Sequence, residues 1–208
     1  MRISHIFAAA LAAVPTGAMS LVIDDFTVGA TVFDGDTTLP GAAAGSLTQS
    51  LSPLINRTLT FDDDVAGSAV GVYNIGILPS DNTVVLNVGA QPIGTNPVAT
   101  VSYAFTTVLD VSGVIGDFDF GTSDFNNPNR TQPTASLEVV DADGTSQSAS
   151  LGKLTNGPAA LAFSYSSFGS VDLSRVKSVT LTLEDFDADI DGNISPQFEA
   201  EGGSLAPI

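Results

Sequence analysis

From residue 21 onward the apolar residues of this chain alternate with polar ones instead of recurring at spacings of three and four. Lys177-Ser178-Val179-Thr180-Leu181-Thr182-Leu183-Glu184 is the clearest run. Val179, Leu181 and Leu183 fall on one face of a strand, and Ser178, Thr180, Thr182 and Glu184 on the other. Val101, Tyr103 and Phe105 alternate in the same way with Ser102, Ala104 and Thr106, and Val84, Leu86 and Val88 do so before Gly89. Gly, Pro, Asn and Asp punctuate the chain roughly every ten positions, the spacing of short strands joined by turns. Further strands are expected to begin at Leu21, Arg57, Val70, Val114, Thr134, Ser146, Leu161 and Gln197, and Asp141-Ala142-Asp143-Gly144 reads as a hairpin turn. The segment from Phe33 to Pro53, rich in Gly, Ala, Ser and Thr, reads as a long surface loop or a weak edge strand. This pattern predicts an all-β fold: a two-sheet antiparallel sandwich, with an up-and-down barrel left open because its periodicity is the same.

The 208 residues suit one domain. Residues 1–20 read as a secretory signal: Arg2 and His5 head it, Ile6 to Val14 form a short apolar run, Pro15-Thr16-Gly17 breaks that run, and Ala18-Met19-Ser20 supplies small residues for cleavage. A single sandwich domain is expected over 21–202, followed by a disordered tail at 203–208. Loss of the signal would remove the only His along with Arg2 from a chain with six basic residues and no Cys. Serine–histidine triads, cysteine–histidine pairs and His/Cys zinc sites are then excluded within one chain. A net charge of -17 argues against nucleic acid and against anionic membrane surfaces as partners, and no membrane insertion is expected of the mature form.

Three segments carry a resemblance to a known group. Ile23-Asp24-Asp25-Phe26-Thr27 resembles the opening strand of bacterial exported jelly-roll proteins, and Arg57-Thr58-Leu59-Thr60 resembles their next section. Phe168-Gly169-Ser170-Val171-Asp172-Leu173-Ser174-Arg175-Val176-Lys177-Ser178-Val179 is similar to their close, a phenylalanine, a short loop, Val-Asp-Leu and the final strands. Many of these proteins carry a sorting anchor of the PEP-CTERM type. The resemblance implies a jelly-roll-type sandwich that is secreted or held at a bacterial cell surface, and it implies no activity. Gly202-Gly203-Ser204-Leu205-Ala206-Pro207-Ile208 departs from the pattern, having no anchor helix and no basic tail.

Asp187-Ala188-Asp189-Ile190-Asp191-Gly192-Asn193 has the alternate carboxylates and sixth-position Gly of the first half of an EF-hand-type loop. Asp187, Asp189, Asp191 and Asn193 are the candidate ligands for calcium (Ca2+). The twelfth position is Phe198, and Glu199 lies one residue late. The competing reading is a solvated acidic hairpin with Asp191-Gly192 as its turn. Asp62-Asp63-Asp64 reads as a solvated strand end, and Asp117 and Asp119 share a polar face opposite Phe118 and Phe120, with Asp124 close behind. Glu138 and Glu184 lie on expected strands and are the pair a glycoside hydrolase would use. Tyr103 and most of the 12 Phe read as core. The expected function is a non-catalytic extracellular structural or adhesive domain, with a carbohydrate-binding module as the alternative. Its expected partners are a second copy, paired through the Leu21–Val28 strand, or an extracellular polysaccharide.

Overall fold

Val179, Leu181 and Leu183 lie in a nine-residue strand with all three side chains buried, while Ser178, Thr180 and Thr182 between them keep partial access to solvent. The same alternation builds the rest of the protein. The computed structural model describes residues 20–33, 45–62, 74–80, 83–88, 97–126, 133–155, 157–184, 190–195 and 197–207. The strands are β1 (Leu21–Asp24), β2 (Ala30–Phe33), β3 (Gly45–Ser52), β4 (Ile55–Asp62), β5 (Asn74–Leu78), β6 (Thr83–Val88), β7 (Val98–Asp110) and β8 (Asp117–Asn126). They continue with β9 (Thr134–Asp141), β10 (Ser146–Lys153), β11 (Gly157–Ser164), β12 (Val176–Glu184), β13 (Ile190–Ser195), β14 (Phe198–Ala200) and β15 (Ser204–Ala206). One 3-10 turn, Tyr165–Phe168, follows β11.

The strands make two antiparallel sheets, as a jelly-roll-type sandwich requires and a single closed barrel does not. One sheet has eight strands in the order β1-β14-β8-β13-β6-β5-β2, with β11 on the free side of β8. The other has seven, β10-β9-β12-β7-β4-β3, with β15 beside β7. Between them lies an aromatic core. Phe120 and Phe198 stack with centroids 4.1 Å apart, and Tyr103 from the facing sheet meets Phe198 at 4.8 Å. Phe118 sits edge-on to Tyr165 at 4.9 Å and to Phe168 at 5.8 Å. Each such buried ring contributes on the order of 1.5–3 kcal/mol, so packing holds this cysteine-free chain without disulfides.

Several boundaries differ from the sequence reading. β3 supplies the weak edge strand expected within 33–53. β8 starts at Asp117 rather than Val114, and β11 at Gly157 rather than Leu161. Order also continues past residue 202, where a tail was expected. Tyr165 Oη donates to the Glu201 carbonyl at 2.9 Å, and Glu201 Oε2 accepts the Asp117 N–H at 3.0 Å. Gly202 then turns the chain at φ +61°, where a Cβ would lie 2.5 Å from Val114, and Ser204–Ala206 pairs with Val108–Asp110. A conformation that only glycine adopts cheaply thus brings the chain end back onto β7.

Candidate functional site

The outer face of the seven-stranded sheet is a lattice of hydroxyls. Register aligns Ser46 of β3 with Thr60, Thr100, Thr182, Ser136 and Ser150, one residue from each of six consecutive strands. The next row runs Thr48, Thr58, Ser102, Thr180, Glu138, Ser148. Their inward neighbours, among them Leu59, Phe61, Val101, Leu137 and Leu181, are buried, and this forces the intervening positions outward. Three cross-strand pairs fix side-chain rotamers: Thr48–Thr58 at 2.8 Å, Thr60–Thr100 at 2.5 Å and Ser102–Thr180 at 2.9 Å. Each hydroxyl has one donor and two acceptor sites, so every such pair still presents one O–H and several lone pairs outward. Asp62 and Glu184 close the ends of β4 and β12, and Glu138 is the one charge inside the two rows.

The acidic candidates lie elsewhere. Asp187 and Asp189 fall outside the described residues. Asp191 and Asn193 lie inside β13, paired with Asn87 and Val85 of β6 and with Asn126 and Asp124 of β8. Asp191-Gly192 is therefore not a turn. A strand with neighbours on both sides places these residues in a sheet, because their backbone groups are taken up by two ladders. Among the described residues no three His, Cys, Asp or Glu side chains converge as a metal site. Asp63 and Asp64 are likewise outside the described residues, and Asp62 ends β4 as expected.

Glu138 and Glu184 share a face but not a site. Glu138 is opposite Thr180, four residues along β12 from Glu184, a separation of about 13 Å in a strand. That exceeds the span across which two carboxyls work on one glycosidic bond. The close pair is instead Asp119 with Glu199, directly opposed on β8 and β14. They line a depression of about 130 Å³ together with Gly121 and Gln197. Asp119 Oδ1 accepts the Gly121 N–H at 2.6 Å, and the Gln197 amide donates to Glu199 Oε1. Asp117 and Asp119 do alternate with buried Phe118 and Phe120, as the sequence indicates. The depression is well below the size of an ordinary ligand pocket, about 300 Å³ or more.

One polar group of the interior went unread in the sequence. Arg57 is wholly buried and pairs with Asp24 at 2.7 Å. Its second terminal nitrogen donates to the Val28 carbonyl at 2.5 Å and to Gln49 Oε1 at 2.6 Å. Asp24 also accepts Tyr103 Oη at 3.0 Å and the Phe26 N–H at 2.8 Å. Burial, reinforced by the Asp24 charge, holds the Tyr103 phenol well above its ordinary pKa. Parity was the available signal: Arg57 alternates in step with Ile55, Leu59 and Phe61, and a charge on a core face demands a partner. A cleft of about 390 Å³ opens beside Asp24, between the β1 segment and the β3–β4 hairpin. The Asp24 carboxylate faces inward to Arg57, and the exposed Asp25, which also lines the cleft, accepts the Thr27 N–H and hydroxyl on one oxygen.

No protein-family model and no curated protein matches the chain. Among solved structures it is similar to an agarase, AgWH50C, with a TM-score of 0.41 and 12% identity. That likeness covers 92% of this chain and 25% of the agarase chain, so the chain spans about a quarter of that protein's length.

Proposed function

We propose that the chain is a non-catalytic extracellular adhesive domain that holds a polymeric partner on the hydroxyl face of its seven-stranded sheet. The observation that carries this is where the charge is not. A chain of net charge -17 keeps six strands' worth of one face nearly free of carboxylates and lines it with Ser and Thr. Central Thr residues suit a pleated surface and set their hydroxyls by cross-strand bonding, so binding does not first have to order them. Individually such bonds are weak in water, at about 0.5–1.5 kcal/mol net, which fits holding by many contacts. Secretion, as the first twenty residues suggest, places the face where extracellular polymers are met.

Retention on insoluble polysaccharides tests the reading. Thr100→Val with Thr182→Val is expected to release the protein, while Asp119→Asn with Glu199→Gln leaves retention unchanged. Soluble sugar ends that appear with the native protein and vanish in Asp119→Asn would replace adhesion with hydrolysis.

A further inference from the structure

Resting on that reading, we propose that the ligand is a single uncharged polysaccharide chain lying across the strands, along the row Ser46–Thr60–Thr100–Thr182–Ser136–Ser150. Three observations give this direction. First, the row is hydroxyl at all six strands, about 24 Å from end to end at the usual strand spacing. Along any one strand the hydroxyl run is shorter, because Ala104 interrupts it on β7, Asp62 ends it on β4 and Glu184 ends it on β12. Secondly, Ser46, Ser136 and Thr182 make no side-chain hydrogen bond among the described residues, while Thr60 and Thr100 share one. Ser150 Oγ, which donates to the Ala135 carbonyl at 3.3 Å and accepts the Gly152 N–H at 2.9 Å, keeps one lone pair. The row therefore offers open donors and acceptors together, the pairing that sugar hydroxyls, themselves both, can meet. Its step per strand is comparable to the advance of one pyranose residue in an extended chain.

Thirdly, charge and twist select the kind of polymer. The field of a strongly acidic protein repels uronate or sulfated chains and leaves neutral ones unaffected. Neighbouring strands are rotated by about 20–25° as a rule, so a row crossing six of them winds through roughly 100° or more. A flexible single chain can follow such a line. A flat crystalline surface meets only part of it.

Titration with size-graded neutral oligosaccharides (cello- and agaro-oligosaccharides) and with oligogalacturonates as the charged counterpart tests this. Affinity for the neutral series should rise with length and level off at about six sugars. Thr182→Val should weaken every length, by roughly threefold to tenfold per lost hydroxyl. Ser46→Ala and Ser150→Ala should weaken long oligomers and leave short ones unchanged, because each sits at one end of the row. Amorphous polymer should be held better than its crystalline form. Affinity that is independent of length, equal binding of oligogalacturonate, or silent end variants would overturn the row while leaving adhesion standing. Failure of the native protein to hold any polymer would remove both. Unchanged thermal melts of the variants confirm that the fold survives each substitution.

Discussion

Two buried carboxylates of this protein, Asp24 and Asp141, are satisfied by different means. Asp24 ends β1 inside the sandwich and takes a guanidinium, a phenol and one backbone N–H, from Arg57, Tyr103 and Phe26. Asp141 ends β9 at the hairpin and takes chiefly backbone donors, with a smaller share from the Thr145 hydroxyl. The N–H groups of Asp143 and Thr145 lie at 2.9 Å on one oxygen and that of Asp172 at 3.1 Å on the other. Arg175 stands nearby yet reaches past it to exposed Asp143 at 3.2 Å. Within a sheet the ladder consumes the backbone donors, so an interior carboxylate must recruit side chains. At a turn the donors are unspent, and a carboxylate collects them without a counter-charge.

The sharpest break in this comparison is Arg57→Met. It leaves Asp24 buried without its cation and should cost about 3–5 kcal/mol in a urea melt. Adding Asp24→Leu should recover much of the loss, since a buried ion pair exchanged for packed apolar groups is often neutral. No recovery would mean that Asp24 also holds the Phe26 turn, which sits at φ 55°.

Asp141→Ala should cost less, because water reaches turn donors more readily than a sheet interior. It should also flatten the acid limb of stability. Backbone N–H bonds, that of Asp172 foremost, hold the Asp141 carboxyl below the usual range, and the Ser174 hydroxyl does the same for Asp172. Lowered values stabilise the fold above the unfolded pKa of about 4, and that contribution is lost as pH falls through the folded pKa. Thermal melts from neutral pH down to about 2 should show this fall in the native protein and a shallower one in the variant.

Tyr103→Phe removes one donor from Asp24 and should cost about 1 kcal/mol at neutral pH. Its effect at high pH has the opposite sign to the acid limb. Burial raises the Tyr103 and Tyr165 phenols, so stability is complete below their unfolded pKa of about 10 and falls as pH rises past it. The variant should lose part of that fall, read as a melting temperature that declines more slowly with pH. The smallest effect belongs to Arg175→Ala. Its pair is exposed on both sides, so the change should stay within about 1 kcal/mol and shrink further in salt.

Periodicity carried the all-β class, the hairpin at Asp141 and the core parity of Tyr103, Phe118 and Phe120, because alternation records which face of a strand is buried and needs no knowledge of neighbours. It placed Ser178, Thr180 and Thr182 outward for the same reason. It misread Asp191-Gly192 as a turn, since Asp-Gly signals one only where no flanking strands take up the backbone, and β6 and β8 do so here. It proposed Glu138 with Glu184 and missed Asp119 with Glu199, because proximity between strands depends on register, and register is set by long-range pairing. The six-strand hydroxyl row and the Asp24–Arg57 pair, 33 residues apart in the chain, have the same origin. Local sequence determines what each strand turns outward and inward. Only the tertiary pairing of strands decides which of those side chains become neighbours.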